Sequence, residues 1–288
     1  MATETSPEQL LTSATRHLFL SPHYDDIALS VGATVARLHD LGFAPESVVI
    51  FGDYPDPTES LSSFAHQLHE GWGLSAETVI ASRRAEEAAA SAILGATSSV
   101  LPFRDAIYRG HRYLSDNQLF DRPLADEASV PGAIASALDL PAAPDLSVRI
   151  YVPIGIGSHV DHQLAYETGR GLASSGWDVW FYEDVPYAMK PGATSERFAA
   201  IGEGTLTAAA AVPAAAGWDR KISAVLSYPS QLETVFRQYV GVGTKRDEIS
   251  AALANYAQNA GGGTMAERFW KVNVDEVPAT VDGGASLR

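Results

Sequence analysis

Two short clusters of histidine and carboxylate residues are the parts of this sequence best suited to chemistry. The first, SPHYDD, spans residues 21–26, and the second, GSHVDH, spans residues 157–162. In each cluster a histidine is followed three residues later by Asp or His, and side chains at this spacing lie on one side of a turn that enters a helix. Histidine nitrogens and carboxylate oxygens suit zinc, which in catalytic sites takes three protein ligands and leaves one position for water. The two clusters together predict a metal centre.

A single motif of this kind has a more ordinary explanation. An isolated His-x-x-Asp pattern usually marks a helix cap or a surface ion pair, and Asp26 could simply cap the helix that follows it. The second cluster makes a metal site the better explanation, because both clusters come directly after a predicted strand. In open α/β sheets ligands bind outside the carboxyl ends of the strands, so both clusters are expected at the same edge of the molecule.

The segments around the clusters predict the elements that position them. Residues 18–20 form a short apolar run typical of a buried strand, and apolar residues then recur at helical spacing until Gly42. The segment SVRIYVPI, 147–154, is the clearest predicted strand and leads into the second cluster. A further helix is predicted over residues 82–95, with Ser82 as its N-cap and Gly95 as its end.

Alternating strands and helices indicate an α/β fold with a mostly parallel β-sheet flanked by helices. We expect a single domain over residues 1–288, with the motifs within 17–187. From about Ala200 onward the pattern predicts mainly helices, and the composition of residues 276–288 indicates a weakly ordered tail or a surface strap.

Composition excludes several classes of function. The chain has no cysteine, so disulfide scaffolds, thiolate zinc fingers, iron–sulfur clusters and cysteine nucleophiles are ruled out. Its 20 basic and 35 acidic residues give a net charge of −15, which argues against nucleic acid and anionic membranes as partners. No apolar run reaches the ~18–20 residues that span a bilayer, and the N-terminus does not resemble a signal peptide. We therefore expect a cytoplasmic protein with a small-molecule substrate, whose oligomeric state stays open.

The two clusters resemble the motifs of a known family. HYDD, 23–26, is similar to the (A/S)PHxDD signature of the PIG-L/LmbE-like zinc-dependent N-deacetylases, and HVDH, 159–162, is similar to their HPDH-type motif. Arg83-x-x-Glu86 followed by Leu94-Gly95 resembles the R-x-x-E…LG helix of the family, and YEDVPY, 182–187, a segment of many bacterial members. The resemblance covers most of residues 17–187. It implies a Rossmann-like fold and hydrolysis of an N-acyl group, usually from an amino sugar or a sugar-containing metabolite.

The resemblance also implies a set of metal ligands. His23, Asp26 and His162 would bind the ion. Zn²⁺ is the expected cofactor, and Fe²⁺ or another divalent metal remains open because nitrogen and oxygen ligands accept several ions.

Three further residues receive catalytic roles from the resemblance. Asp25 would be the general base, and His159 would stabilise the oxyanion and protonate the leaving amine. Asp161 would hydrogen-bond His159 and orient it. This division of labour agrees with the chemistry of amides, since a base must activate water and an acid must protonate the departing nitrogen.

The chain departs from the family pattern at three positions. Ile27 follows the two aspartates where many members have Glu, and Val160 replaces the proline of the second motif. Gly157 stands where some members carry a tyrosine. None of these changes removes a predicted metal ligand or the base, so they concern the oxyanion contacts and the substrate specificity.

Candidate substrate-binding residues lie outside the two clusters. Asp105, Tyr108 and Arg109 follow a predicted strand and could line a pocket or belong to a solvated loop. Arg83 could bind a sugar or form a helix-start ion pair with Glu86 or Glu87. Loops 53–82 and 104–130 and the C-terminal helices are expected to set the specificity.

Two alternatives to N-deacetylation stay open. The metal centre could hydrolyse another bond, such as a thiol-conjugate amide, an ester or a phosphoester. The protein could also be a non-catalytic sugar- or metal-binding module. The second alternative is disfavoured because the predicted base and acid positions, Asp25 and His159, are present beside the predicted ligands.

Overall fold

A seven-stranded sheet is the centre of the computed structural model, which describes residues 6–56, 58–75 and 78–273. The strands are β1 (Arg16–Ser21), β2 (Glu46–Val49), β3 (Thr97–Val100), β4 (Val148–Pro153), β5 (Asp178–Tyr182), β6 (Leu206–Pro213) and β7 (Ala266–Val272). Their order is β3-β2-β1-β4-β5-β7-β6. Strands β1 to β5 are parallel, and β7 is antiparallel to β5 and β6. The prediction of an α/β fold with a mostly parallel sheet is confirmed. The predicted tail, 276–288, lies outside the described residues.

Helices cover both faces of the sheet. They are α1 (Pro7–Thr12), α2 (Asp26–Asp40), α3 (Ser63–Gly71), α4 (Val79–Leu94), α5 (Asp116–Leu119), α6 (Val130–Ala137), α7 (Val160–Ser174), α8 (Ala193–Ile201), α9 (Trp218–Val225), α10 (Pro229–Leu232) and α11 (Arg246–Ala260), with a π-helical segment at Glu233–Val240. Tyr151 of β4 packs in the apolar cluster formed with α2, α4, α9 and α11, whereas Ile150 and Val152 pack on the opposite face with α6 and α7. This alternation buries both faces, as parallel sheets require. Within the described part of the chain, no helix is long and apolar enough to cross a membrane.

Helix α4 begins earlier than predicted. The prediction of Ser82 as its N-cap is wrong, because the helix starts at Val79 after Thr78. Val79 and Ile80 are buried in an apolar cluster beside α3, and this packing stabilises an additional turn. The predicted end at Gly95 is confirmed, and this glycine adopts the left-handed conformation, with φ +77°.

The prediction of a mainly helical C-terminal part is wrong in two segments. The alanine-rich stretch of β6 and the segment of β7 form antiparallel strands at one edge of the sheet. Alanine favours helices in isolation, so β6 carries no local strand signal. Pairing with β7, whose Phe269 is buried in the core, overrides that preference.

Strand β7 also stabilises an irregular helix. Helix α2 is interrupted at Val31, where φ is −132° and ψ is 20°. The Glu267 carboxylate accepts hydrogen bonds from the backbone N–H groups of Ala33 at 3.1 Å and Thr34 at 2.7 Å. Lys221 of α9 donates to the same carboxylate at 2.7 Å. The edge of the sheet thereby supports the helix that begins at Asp26.

Candidate functional site

The two clusters meet at the carboxyl edge of the sheet. β1 and β4 are parallel neighbours, and each strand is followed by a short loop and a helix, α2 and α7. The cluster residues His23, Asp25, Asp26 and His159 line a cleft of about 770 Å³. The position predicted from the strand–loop–helix pattern is therefore the position that the structure shows.

The three predicted metal ligands converge on one carboxylate oxygen. Asp26 Oδ2 lies 3.6 Å from His23 Nδ1 and 3.5 Å from His162 Nε2. Two ligands of one tetrahedral zinc ion lie about 3.4 Å apart, so each of these two separations suits a pair of ligands. One ring nitrogen from each of His23, His159 and His162 also lies within 4.8 Å of the other two. His162 Nε2 is buried and has no hydrogen-bond partner among the described residues. An unpaired buried nitrogen beside a carboxylate is available as a metal ligand.

The Asp26 carboxylate is held in its ionised form. Its Oδ2 accepts a hydrogen bond from the backbone N–H of His23 at 2.7 Å. Burial raises the pKa of Asp26, but His162 and His23 lower it more, to about 2. A carboxylate that stays charged when buried suits a cation.

A carboxylate orients the His162 ring by contacting the nitrogen that does not face Asp26. Asp184, two residues after the end of β5, contacts His162 Nδ1 through Oδ1 at 2.7 Å. Its Oδ2 accepts hydrogen bonds from the backbone N–H groups of Gly155 at 2.8 Å and Ile156 at 2.9 Å. Such a partner fixes the ring and leaves the other nitrogen free for a metal. Asp184 has no predicted role, although it lies in the YEDVPY segment and follows a strand at the edge where both clusters lie.

A second carboxylate orients His23. Asp161 Oδ2 lies 3.1 Å from His23 Nε2 and accepts a hydrogen bond from the Ala106 backbone N–H at 3.0 Å. Asp161 Oδ1 accepts a hydrogen bond from Arg109 Nη1 at 2.6 Å. Both predicted histidine ligands thus turn one nitrogen to Asp26 and the other to a buried carboxylate.

The predicted hydrogen bond between the Asp161 carboxylate and His159 is not formed. The backbone N–H of Asp161 donates to His159 Nδ1 at 3.2 Å instead, because His159 occupies the N-cap position of α7. Nδ1 is therefore an acceptor, and the proton of the neutral ring resides on Nε2. Burial, together with His23, lowers the pKa of His159 well below its ordinary value. His159 is a neutral hydrogen-bond donor in this arrangement.

Arg83 contacts the predicted base. Its Nη2 donates to Asp25 Oδ1 at 3.2 Å. Its guanidinium carbon lies 5.4 Å from the ring centre of Tyr24 and 5.1 Å from that of Trp72, so two aromatic rings hold it in place. Burial raises the pKa of Asp25, and Arg83 opposes part of that effect. The alternative ion pair of Arg83 with a glutamate of its own helix is not seen.

Of the three remaining candidate substrate-binding residues, one lines the cleft and two do not. Asp105 lines the cleft, and its Oδ2 lies 3.7 Å from His23 Nε2. The Tyr108 hydroxyl shares a hydrogen bond with His69 Nε2 at 2.6 Å. Arg109 pairs with Asp161 and with Glu127, at 2.9 Å for the second pair. A solvated loop is excluded for Asp105 and Tyr108, because both are buried.

The outer walls of the cleft come from the segments whose geometry the sequence does not reveal. One wall is α3, the second is the region around α5, and the third is the π-helical segment. Their lining side chains include Phe64, Gln67, Trp72, Asp116, Phe120, Thr234, Gln238 and Tyr239. Aromatic rings together with amide, hydroxyl and carboxylate groups in one cleft suit a sugar, which has apolar ring faces and many hydroxyl groups.

Comparison with known proteins agrees with the motifs. Residues 18–173 match the PIG-L family, described as GlcNAc-PI de-N-acetylase. A 2'-N-acetylparomamine deacetylase of Niallia circulans is 31% identical over 191 residues, which cover 59% of this chain and 66% of that protein. A 2'-N-acetylparomamine deacetylase of Streptomyces fradiae is 29% identical over 264 residues, which cover 88% of this chain and 89% of that protein.

Structural comparison points to the same kind of protein. The crystal structure of the zinc-inhibited form of teicoplanin deacetylase matches with a TM-score of 0.69 and 25% identity, covering 89% of this chain and 97% of that one. These similarities confirm the family that the sequence motifs indicated.

Proposed function

Because the chain belongs to the PIG-L family of GlcNAc-PI de-N-acetylases, we propose that it is a metal-dependent hydrolase that removes the N-acetyl group of an amino sugar or a sugar-containing small metabolite. The observation that carries this proposal is the convergence of His23 and His162 on Asp26, with Asp25 beside them in the same cleft. The deacetylases of 2'-N-acetylparomamine and teicoplanin support a substrate of this chemical class.

His23, Asp26 and His162 would hold the ion, and the zinc-inhibited form of the teicoplanin enzyme supports zinc as one ion that such a site accepts. When bound, a divalent ion polarises the acyl carbonyl and lowers the pKa of water. Asp184 and Asp161 keep the two histidine rings in the orientation that this requires.

Asp25 would take the proton of the attacking water. It lies one residue from a ligand, and Arg83 fixes its carboxylate. His159 would donate its Nε2 proton in a hydrogen bond to the acyl oxygen, where negative charge develops as water adds.

The leaving amine also needs a proton. A neutral His159 has only one proton on its ring, and protonation of Nδ1 would set it against the Asp161 N–H. This arrangement favours Asp25, which carries a proton after the attack, as the group that protonates the amine.

The test combines metal content with product release. We expect about one divalent ion per wild-type chain and release of amine from N-acetylglucosamine derivatives or N-acetylated aminoglycosides. His162→Ala should lose the ion and the activity together, whereas His111→Ala, at an exposed position, should keep both. Asp25→Asn should keep the ion and lose turnover by about 10³-fold.

A parallel panel of O-acyl and phosphoryl sugars checks the bond. Preferred release of acid from the esters or of phosphate would show that the proposed bond is wrong while the metal centre stands. Failure of the wild-type protein to bind added zinc would disprove the centre itself.

A further inference from the structure

One side-chain amide joins two loops beside the cleft. Gln163, near the start of α7, donates through Nε2 to the backbone carbonyl of Ser158 at 2.6 Å and to that of Asp121 at 2.5 Å. A side-chain amide has two N–H hydrogens, so both donors of this group are used. Ser158 belongs to the loop between β4 and α7, whereas Asp121 lies in the segment after α5. Gln163 therefore fixes the distance between two segments that are far apart in the sequence.

The Ser158 end of this link lies at a strained point of the backbone. Ser158 has φ +66°, and among the residues that the structure describes it is the one non-glycine residue with a positive φ. A Cβ atom disfavours this left-handed conformation, so the conformation persists where surrounding contacts hold it. The Gln163 bond to the Ser158 carbonyl is such a contact. The next residue, His159, is the N-cap of α7 and lines the cleft, so the link helps to set the direction of its ring.

The Asp121 end of the link holds an aromatic wall. Asp121 directly follows Phe120, which lines the cleft and is 37% exposed. The Phe120 ring centre lies 5.4 Å from that of His159, with an interplanar angle of 84°, and 6.0 Å from that of Tyr187. An exposed aromatic ring beside the proposed oxygen-binding histidine suits the apolar face of a sugar ring. Because α5 has only four residues, the bond at Asp121 is an important tether for this ring.

The link contributes more to position than to stability. The bond to Asp121 is exposed to solvent, and the bond to Ser158 is only partly buried. Water can replace a lost donor at carbonyl groups in such places, so the net gain in folding free energy from these bonds is small. A fixed distance between Phe120 and His159 is what water cannot supply.

We propose that Gln163 is a positioning residue that sets both turnover and substrate fit, by holding the Phe120 wall and the His159 loop at a fixed separation. This role rests on the proposed N-deacetylation. Through Ser158, Gln163 keeps the His159 Nε2 proton aimed at the acyl oxygen. Through Asp121, it keeps the Phe120 ring against the sugar. Gln163 does not line the cleft, and it exchanges no proton.

Gln163→Leu tests the link because it removes both donors at nearly the same size. With the N-acetylated sugar that the wild-type enzyme deacetylates best, we expect kcat to fall about 10-fold and KM to rise about 5-fold, since a misplacement of about 1 Å can cost about 100-fold in rate. The content of divalent ion and the midpoint of urea unfolding should change little. Gln258→Leu, the same substitution at an exposed position of α11, is the matched control and should leave both constants unchanged.

Ser158→Gly separates the two ends of the link. Glycine adopts a φ of +66° without the cost of a Cβ atom, so it can hold the loop without Gln163. Added to Gln163→Leu, it should restore most of the lost kcat and leave KM raised, because the Phe120 end remains free. A merely structural role of Gln163 would not divide the two constants in this way. If Ser158→Gly does not raise kcat in the Gln163→Leu background, the proposed role of Gln163 is wrong.

Phe120→Ala tests the other end of the link. In this background Gln163→Leu should raise KM no further, because the ring that Gln163 positions is absent. Chymotrypsin gives a readout that does not depend on activity. Cleavage after Phe120 in the metal-loaded protein without substrate should be faster in Gln163→Leu than in the wild type or in Gln258→Leu, because the loop opens more often. An equal rise in KM with and without the Phe120 ring would contradict the assignment.

The outcomes distinguish the link from the proposed function. Wild-type kcat and KM in Gln163→Leu, in an enzyme that deacetylates, would overturn the role of Gln163 and leave the deacetylase standing. A large fall in the unfolding midpoint that accounts for the lost activity would make Gln163 a structural residue and also overturn the role. A metal-loaded wild-type protein that releases no amine from any N-acyl sugar would overturn both proposals, whereas unchanged chymotrypsin cleavage would overturn the link alone.

Discussion

Glu267 and Asp184 are buried carboxylates in two regions of the molecule, and they accept hydrogen bonds in the same way. Each contacts two backbone N–H groups and a side-chain nitrogen, and Glu267 also accepts a hydrogen bond from the Thr34 hydroxyl at 2.6 Å. The donors are Ala33, Thr34 and Lys221 for Glu267, and Gly155, Ile156 and His162 for Asp184. The two regions differ in whether the nitrogen-bearing side chain makes a further contact within the protein.

Lys221 also donates to the backbone carbonyl of Ser30 at 3.1 Å, so the Glu267 network is closed within the protein. The second nitrogen of His162 has no hydrogen-bond partner among the described residues and faces Asp26. A buried polar atom without a partner is costly, so a nitrogen that also faces a carboxylate is suited to a ligand that supplies the missing contact. The closed network stabilises the backbone, and the open one is where the proposed ion would bind.

Removal of Glu267 should have the largest effect on stability. Glu267→Ala leaves the Lys221 charge buried without its partner and frees two N–H groups of α2, so we expect a loss of about 3–5 kcal/mol. Denaturant unfolding at neutral pH measures it. Glu233→Ala, in an exposed pair with Arg237, is the control and should change stability little. A loss below about 1 kcal/mol for Glu267→Ala would mean that the closed network is not a main source of stability.

Asp184→Asn should act on the ion instead of the fold. It keeps the size of the side chain and weakens its bond to His162, so zinc affinity should fall about 10–100-fold. Competition with a chromophoric chelator measures the affinity. Asp178→Asn, at the opposite end of β5, should leave the zinc affinity unchanged. Unchanged zinc affinity in Asp184→Asn would show that the contact with Asp184 does not orient His162 for metal binding.

His17 provides a contrast to His162, because it is a buried histidine that contacts a hydroxyl group instead of a carboxylate. Its Nδ1 lies 3.0 Å from the Tyr151 hydroxyl. Burial lowers the pKa of His17 to about 4. Between about pH 6.5 and pH 4 the His17 ring stays neutral in the folded protein. In the unfolded chain the same ring takes up a proton in this range. The stability contributed by the neutral ring is therefore complete above pH 6.5 and is lost as the pH falls towards 4.

From pH 7 to pH 5.5 this loss should be about 1 kcal/mol. Urea unfolding of His17→Gln at both values should show a smaller pH effect than the wild type. His111→Gln, at an exposed histidine, should follow the wild-type profile. Identical pH effects in His17→Gln and the wild type would contradict a neutral His17.

The local sequence pattern predicted the elements that carry the candidate metal ligands. The apolar runs of β1 and β4, the helical spacing in α2 and the end of α4 at Gly95 depend on neighbours within a few residues. The positions of His23, Asp26 and His162 follow, because each cluster adjoins the end of such an element. The alanine-rich strand β6 could not be predicted in this way, since its strand conformation depends on pairing with β7.

The sequence by itself determined the α/β fold class and the two motifs that supply the candidate ligands, because both are local properties of the chain. Only the tertiary structure decided that Asp161 contacts His23 and Arg109 instead of His159. It alone decided that Asp184 and Tyr187 reach the site from the segment after β5. These contacts depend on strand order and on how side chains from distant segments pack together. Neither is encoded in the spacing of residues along the chain.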